Sequence, residues 1–107
     1  MPPHEPDANV KLGPIGSRVI FENELVRVWD LTVAPGKSAG LHRHDLPYVI
    51  VPLTGGTIEI KSVDGGTYRP VETVGEAIWR DPGEIHDLHN LGSTPYRNVL
   101  VEIKRSA

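Results

Sequence analysis

The chain contains no cysteine among its 107 residues. This absence excludes disulfide bonds, thiolate metal ligands, iron–sulfur clusters and a cysteine nucleophile. A metal site in this protein must therefore be built from imidazole, carboxylate, phenolate or water.

Basic charge and long apolar runs are also missing. The formal net charge of −3 and a pI near 5.9 provide no basic surface for nucleic acid. The longest apolar stretch, residues 48–53, contains Pro52 and is far shorter than the roughly 20 residues that span a membrane. The pattern of a secretion signal, a basic segment followed by an apolar run, does not occur in the sequence. We therefore expect a cytoplasmic protein that binds neither nucleic acid nor membranes.

Glycine and proline, in contrast, are abundant. The 11 glycines and 10 prolines are spread along the chain, which predicts frequent turns between short strands. Residues 1–14 are polar, proline-rich and without periodicity, so we expect a flexible N-terminal arm. The length of the remainder favours one domain over residues 15–107.

Short strands are predicted throughout this domain, and no stretch has the periodicity of an ordinary amphipathic helix. The odd positions of the second strand are mostly apolar and should face inward, where Arg27 is the only charged residue. Many short strands with regular turns indicate an all-β sandwich or small barrel. The predicted strands are 18–22, 25–33, 40–44, 48–53, 57–63, 67–74, 76–80, 86–91 and 96–103.

Three histidines are candidates for one metal site. His42 and His44 are separated by one residue, so both side chains lie on the same face of a strand. His86 follows a turn at 81–83 and shares a strand face with Asn90, whereas His89 points the other way. The alternative is that these histidines are ordinary core residues.

Two glycine- and histidine-containing motifs resemble those of the cupin superfamily. The first cupin motif consists of a glycine, a His-x-His pair, a glutamate and a second glycine, and this chain has tyrosine in place of the glutamate. The second cupin motif consists of a glycine, a proline, a second glycine, a histidine and an asparagine, and this chain has aspartate in place of the proline. Residues 26–55 are also similar to small bacterial cupins called beta-alanine degradation proteins. The first motif is Gly36, His42, His44, Tyr48 and Gly55; the second is Gly75, Asp81, Gly83, His86 and Asn90.

The resemblance implies a cupin jelly-roll β-barrel that holds one divalent transition metal on His42, His44 and His86. Without the usual glutamate the site is a three-histidine site, which is compatible with Fe, Zn, Ni, Cu or Mn. Tyr48, in the place of the glutamate, is a candidate catalytic residue that could ligate the metal or donate a hydrogen bond. Its alternative role is to line the pocket.

Arg27 is a candidate substrate-binding residue, because an inward arginine could hold a carboxylate. The alternative is an ion pair with a neighbouring acid. We expect a metal-dependent enzyme, either a three-histidine dioxygenase or a Lewis-acid isomerase or lyase, with a small anionic substrate. A small-molecule binding cupin without turnover is the alternative. The resemblance also implies a homodimer.

Overall fold

The computed structural model describes residues 11–105. This part of the chain contains nine strands and no helix, and hence no helical segment that could cross a membrane. Residues 1–10 of the predicted arm lie outside the described residues, and residues 11–14 belong to no strand. The strands are β1 (Arg18–Glu22), β2 (Val26–Val33), β3 (His42–Arg43), β4 (Tyr48–Pro52), β5 (Ile58–Ser62), β6 (Thr67–Tyr68), β7 (Ile78–Arg80), β8 (Ile85–Asn90) and β9 (Tyr96–Ile103).

The strands form two antiparallel sheets. One sheet has the order β1-β2-β9-β4-β7, and the other has the order β3-β8-β5-β6. β9 lies at the centre of the larger sheet, paired with β2 over its whole length and with β4 on its other side. Most neighbouring strands, such as β2 and β9 or β3 and β8, are distant in sequence, and the arrangement is that of a jelly roll. The predicted all-β class is confirmed.

The core lies between the two sheets in two clusters. One cluster joins residues of β2 and β9 in the larger sheet to residues of β5 and β8 in the smaller sheet. The other surrounds Tyr48 and includes Ile15, Leu100, Trp29 and Ile50. Alternation along β9 points its even-numbered residues inward, polar Asn98 and Glu102 included. The first cluster consists of Leu31, Val33, Ile58, Ile60, Leu88 and Tyr96.

Two predicted strands are much shorter in the structure. The predicted strand 40–44 is reduced to β3, because Gly40 has a φ of +95° and interrupts the extended backbone. The predicted strand 67–74 is reduced to β6, and Pro70, which has no N–H for a ladder, follows soon after. Residues 69–77 instead form a loop beside the cavity described below.

The turn at 81–83 positions one edge of the site. Gly83 has a φ of +114°, a conformation that a side chain would strain. Its N–H donates to the carbonyl of His44 at 2.8 Å, and the N–H of His44 donates to the carbonyl of Glu84 at 3.2 Å. The loop that carries His44 is therefore attached to the start of β8.

Candidate metal centre

The structure brings the three predicted histidines together. His42 on β3 and His86 on β8 are directly paired across the smaller sheet. His44 follows β3 and is held by the turn at 81–83. All three are buried, and one ring nitrogen from each lies within 4.8 Å of the others. Residues 42 and 86 therefore share a face of the smaller sheet.

The tautomer of His42 is determined by its backbone contact. Its Nδ1 lies 2.7 Å from the carbonyl oxygen of Gly40. Because a carbonyl only accepts, Nδ1 carries the proton and Nε2 keeps its lone pair. The amide of Gly40 in turn donates to Asp87 Oδ1 at 2.9 Å. This contact fixes the ring with an available metal-binding nitrogen.

His44 and His86 direct their Nε2 atoms toward each other, 3.1 Å apart. The Nδ1 atoms of both rings are buried without a hydrogen bond. Glu84 Oε1 comes within 2.8 Å of His86 Nδ1, but it lies outside the direction of N–H donation. Glu84 is thus a carboxylate close to the His86 ring.

Burial keeps His42 and His44 neutral. Desolvation lowers the pKa of His42 from 6.5 to about 4, although the bond to Gly40 opposes this shift. Desolvation, with His42 and His86 nearby, lowers the pKa of His44 to about 2. Metal ligation requires neutral imidazole, so these two histidines are in the correct protonation state at neutral pH.

This donor set fits a divalent transition ion. Two nitrogens held at about 2.1 Å from one ion, at angles of about 90–109°, are roughly 3.0–3.4 Å apart. The separation of 3.1 Å between His44 and His86 falls in this range. In addition, the Nδ1 proton of His42 leaves its second nitrogen unprotonated. The cluster could therefore hold a metal ion.

Tyr48 stacks on one of these rings. Its ring lies 3.9 Å from that of His44, centroid to centroid, with 15° between the planes. The side chain is buried at 3% exposure, and burial raises the pKa of its phenol. The phenol therefore stays protonated, which favours hydrogen-bond donation over ligation as phenolate. The catalytic role of Tyr48 stays a prediction.

Arg27 forms ion pairs with two glutamates of neighbouring strands. Its guanidinium is ion-paired with Glu22 at 3.1 Å and Glu102 at 3.4 Å. Glu102 is buried and also accepts a hydrogen bond from Trp29 Nε1 at 2.6 Å. Arg27 does not line the cavity at the histidines. The structure thus shows the ion pairing considered as its alternative, and its contact with substrate stays a prediction.

A cavity opens beside the histidines; its interior of about 30 Å³ holds roughly two water molecules, and its mouth is open to solvent. Most of its wall is apolar, and its polar lining residues outside the predicted site are Tyr68, Glu72, Arg80 and Asn98. Arg80 ends a strand of only three residues, too short to show periodicity. Glu72 lies in the loop 69–77, which was predicted to be a strand.

Asn90, the last residue of the second motif, has a structural position. It is buried, and its amide donates to the carbonyls of Val33 at 3.0 Å and Thr94 at 2.8 Å. Its Oδ1 accepts from the N–H of Gly92 at 2.9 Å. Asn90 therefore connects the end of β2 to the loop after β8, whereas His89 is partly exposed beside Asp87.

Comparisons with known proteins are consistent with this architecture. A Pseudomonas aeruginosa protein called Beta-alanine degradation protein BauB is 36% identical over 86 residues, covering 80% of this chain and 90% of that protein. A cupin domain from Bordetella pertussis is 33% identical, with a TM-score of 0.77, covering 82% and 91% of the two chains. No protein-family model matches the chain.

A more distant structure supports the fold alone. An RmlC-like cupin with a double-stranded β-helix fold from Methanocaldococcus jannaschii has a TM-score of 0.62 at 13% identity, covering 85% of this chain and 93% of that one. The Bordetella domain, in contrast, is similar in sequence as well as in fold. The predicted jelly-roll β-barrel is therefore confirmed, and the chain belongs to the cupin superfamily.

Proposed function

We propose that this protein is a metal-dependent enzyme that acts on a small anionic metabolite. The observation that carries the proposal is the buried cluster of His42, His44 and His86 beside a cavity. Three neutral imidazoles without a carboxylate leave a divalent ion with its full charge and with open positions. Such a centre attracts an anionic ligand.

The residues of the chain supply binding, orientation and exclusion of water. A bound divalent ion supplies Lewis-acid polarisation or, as Fe(II), oxygen chemistry. Tyr48, with its raised phenol pKa, is a neutral hydrogen-bond donor next to His44. The apolar wall, which includes Leu31, Ile60 and Leu88, limits water around the substrate and strengthens polar contacts inside.

The Pseudomonas relative supports the size and charge of the substrate. Its name assigns it to beta-alanine degradation, and beta-alanine is a small molecule with a carboxylate. Arginine is well suited to bind a carboxylate, and Arg80 lines the cavity beside the histidines. Both observations favour a small carboxylate-containing metabolite as the substrate class.

Metal analysis of the purified protein, followed by turnover assays, tests this proposal. The protein is stripped, reloaded separately with Fe(II), Mn(II), Ni(II), Cu(II) and Zn(II), and incubated with small keto and amino acids. Oxygen uptake detects a dioxygenase, and product NMR detects an isomerase or lyase. We expect turnover with one metal and none in a His42→Ala, His44→Ala, His86→Ala triple variant.

Two results would contradict the proposal of a metal-dependent enzyme. A protein that takes up no divalent ion would remove the metal centre altogether. Metal-dependent binding of a carboxylate without turnover under any metal would instead support the non-catalytic binding cupin.

We further propose that the protein is a homodimer assembled through β1. This edge strand is exposed along its whole length, with Val19, Ile20 and Phe21 at 42%, 47% and 54% exposure. Antiparallel pairing of β1 with a second copy about a two-fold axis places Arg18 opposite Glu22 and Ile20 opposite itself. The strand is therefore complementary to itself in charge and shape.

The oligomeric state of an Ile20→Lys variant tests this surface. Two lysines would meet at the two-fold axis, so we expect a monomer by light scattering where the wild type is a dimer. Val71, 95% exposed and outside β1, provides the matched control, and Val71→Lys should remain dimeric. A monomeric wild type would refute the proposal, as would a dimeric Ile20→Lys variant.

A further inference from the structure

Arg80 differs from every other arginine of the chain. Its guanidinium makes no ion pair or hydrogen bond within residues 11–105, a range that contains all the arginines. It is also the arginine that lines the cavity, where it is half-buried. A partly desolvated guanidinium without a partner is energetically unfavourable unless a ligand forms an ion pair with it. The paired arginines are Arg18, Arg27, Arg43, Arg69, Arg97 and Arg105.

Arg80 lies close to the metal centre in the larger sheet. It is the cross-strand partner of Tyr48, and directly opposed residues present their side chains on the same face. Tyr48 in turn stacks on His44 at 3.9 Å. A carboxylate bound by Arg80 therefore lies one side chain away from the histidine cluster.

A second group of lining residues has unused hydrogen-bond acceptors. Glu72 accepts a hydrogen bond from the hydroxyl of Tyr96 at 2.6 Å and has no cationic partner among the described residues. The same hydroxyl accepts from Asn98 Nδ2 at 2.9 Å. Asn98 Oδ1 is left buried without a partner, in a residue only 1% exposed. A carboxylate and an amide oxygen thus converge on one part of the cavity.

These two groups require opposite ligand chemistry. Arg80 requires an anion, whereas Glu72 and Asn98 Oδ1 require a hydrogen-bond donor, preferably a cationic one. Arg80 and Glu72 do not neutralise each other, since no ion pair joins them although both line the same small cavity. A purely anionic ligand would satisfy Arg80 and face the carboxylate of Glu72 unfavourably.

We propose that the cavity binds a small amino acid as its zwitterion, with the carboxylate on Arg80 and the ammonium on Glu72 and Asn98. This rests on the proposed function and narrows its substrate class from a carboxylate-containing metabolite to one that also carries an ammonium group. The apolar residues of the cavity wall accommodate the methylene chain of the ligand.

Calorimetry with the Zn(II)-loaded full chain tests the proposal, because zinc permits binding without redox turnover. The probes are ω-amino acids with one, two or three methylene groups, each compared with the carboxylate and the amine of equal length. We expect at least one amino acid to bind about tenfold or more tightly than the carboxylate or the amine of equal length. This difference corresponds to the gain of one charge-assisted contact. Parallel titrations of metal-free protein should preserve this preference at lower affinity.

Variants assign the two ends. Arg80→Gln should weaken amino acid and carboxylate binding alike, about tenfold or more, and Arg80→Lys should weaken them less. Glu72→Gln should weaken the amino acid but not the carboxylate, so the preference disappears. Arg69→Gln, which removes a surface ion pair with Glu59, is the matched control and should bind as the wild type does. Circular dichroism verifies that each variant is folded.

The outcomes separate this inference from the function on which it rests. Carboxylate binding as tight as amino acid binding, unchanged by Glu72→Gln, would overturn the zwitterion and leave the metal-dependent enzyme standing. Unchanged affinity in folded Arg80→Gln would also overturn it. Absence of zinc uptake in the same calorimeter would overturn the proposed function. A preference of the metal-free protein for the amino acid over the carboxylate and the amine would still support the amino acid site.

Discussion

Replacement of Tyr48 tests whether its ring or its hydroxyl serves the metal centre. The ring stacks on His44 with centroids 3.9 Å apart, and such contacts are worth about 0.5–1.5 kcal/mol beyond burial. Tyr48→Leu retains apolar bulk but removes the stack. If that energy holds His44 in its binding position, the metal Kd should rise by about two- to tenfold. Tyr48→Phe retains the stack, so the metal Kd should change by less than about threefold.

Competition titrations with a chromophoric chelator measure these affinities on stripped protein. Tyr48→Phe is the matched control for Tyr48→Leu, since the two differ in the ring and neither has a hydroxyl. His44→Gln shows the effect of losing one imidazole. Loss of metal in folded Tyr48→Phe would mean that the phenol is a ligand. Equal affinity in the Phe and Leu variants would refute the positioning of His44 by stacking.

Tyr48→Glu extends the same experiment to ligand charge. A carboxylate beside His44 would provide a fourth ligand and reduce the net positive charge of the centre. We therefore expect tighter metal binding and weaker binding of a dicarboxylate such as oxalate. Equal oxalate affinity in wild type and Tyr48→Glu would show that net charge does not govern anion binding at this site.

Three further predictions follow from the contacts described above. The pKa values of His42 and His44 are 6.5 in the unfolded chain and about 4 and about 2 in the folded protein. As the pH drops through 6.5, these two histidines therefore take up protons only in the unfolded chain. Metal-free protein should thus lose about 2–3 kcal/mol of stability between pH 7.5 and 5.5 in urea titrations; a flat profile would contradict burial of neutral imidazoles. Arg27→Met should lower the free energy of unfolding by about 1–3 kcal/mol, because buried Glu102 loses its cation. Amino acid affinity should stay unchanged; if it falls instead, Arg27 contacts substrate as the sequence suggested. Asn90→Ala should cost about 2–4 kcal/mol through the loss of three buried hydrogen bonds, and an unaltered melting temperature would exclude this structural role.

Local periodicity predicted which histidines share a face, and the resemblance to the cupin motifs grouped His86 with His42 and His44. Alternation placed His42 and His44 together, although β3 ends at Arg43 and His44 follows it. The same rule separated His86 from His89. The strands of regular pattern, such as β1 and β9, were placed at their observed boundaries. Each of these features depends on only a few neighbouring residues in the sequence.

Long-range pairing explains what the sequence did not reveal. Arg80 becomes a cavity residue only because β7 pairs with β4, which places it opposite Tyr48. Arg27 is ion-paired with Glu102, 75 residues away, a contact that depends on the register of β2 and β9. Glu72 faces the cavity because the chain leaves β6 early and forms a loop. No local pattern contains this information.

The distance in sequence between the metal-binding residues has a consequence for stability. His44 and His86 are 42 residues apart, so an ion bound to both would close a long loop in a chain that has no cysteine. A covalent link closing such a loop restricts the unfolded chain by about 4 kcal/mol. The ion would thus serve as a reversible cross-link whose strength depends on the free metal concentration. A chelator would then act on this protein as a reductant acts on a disulfide-bonded one.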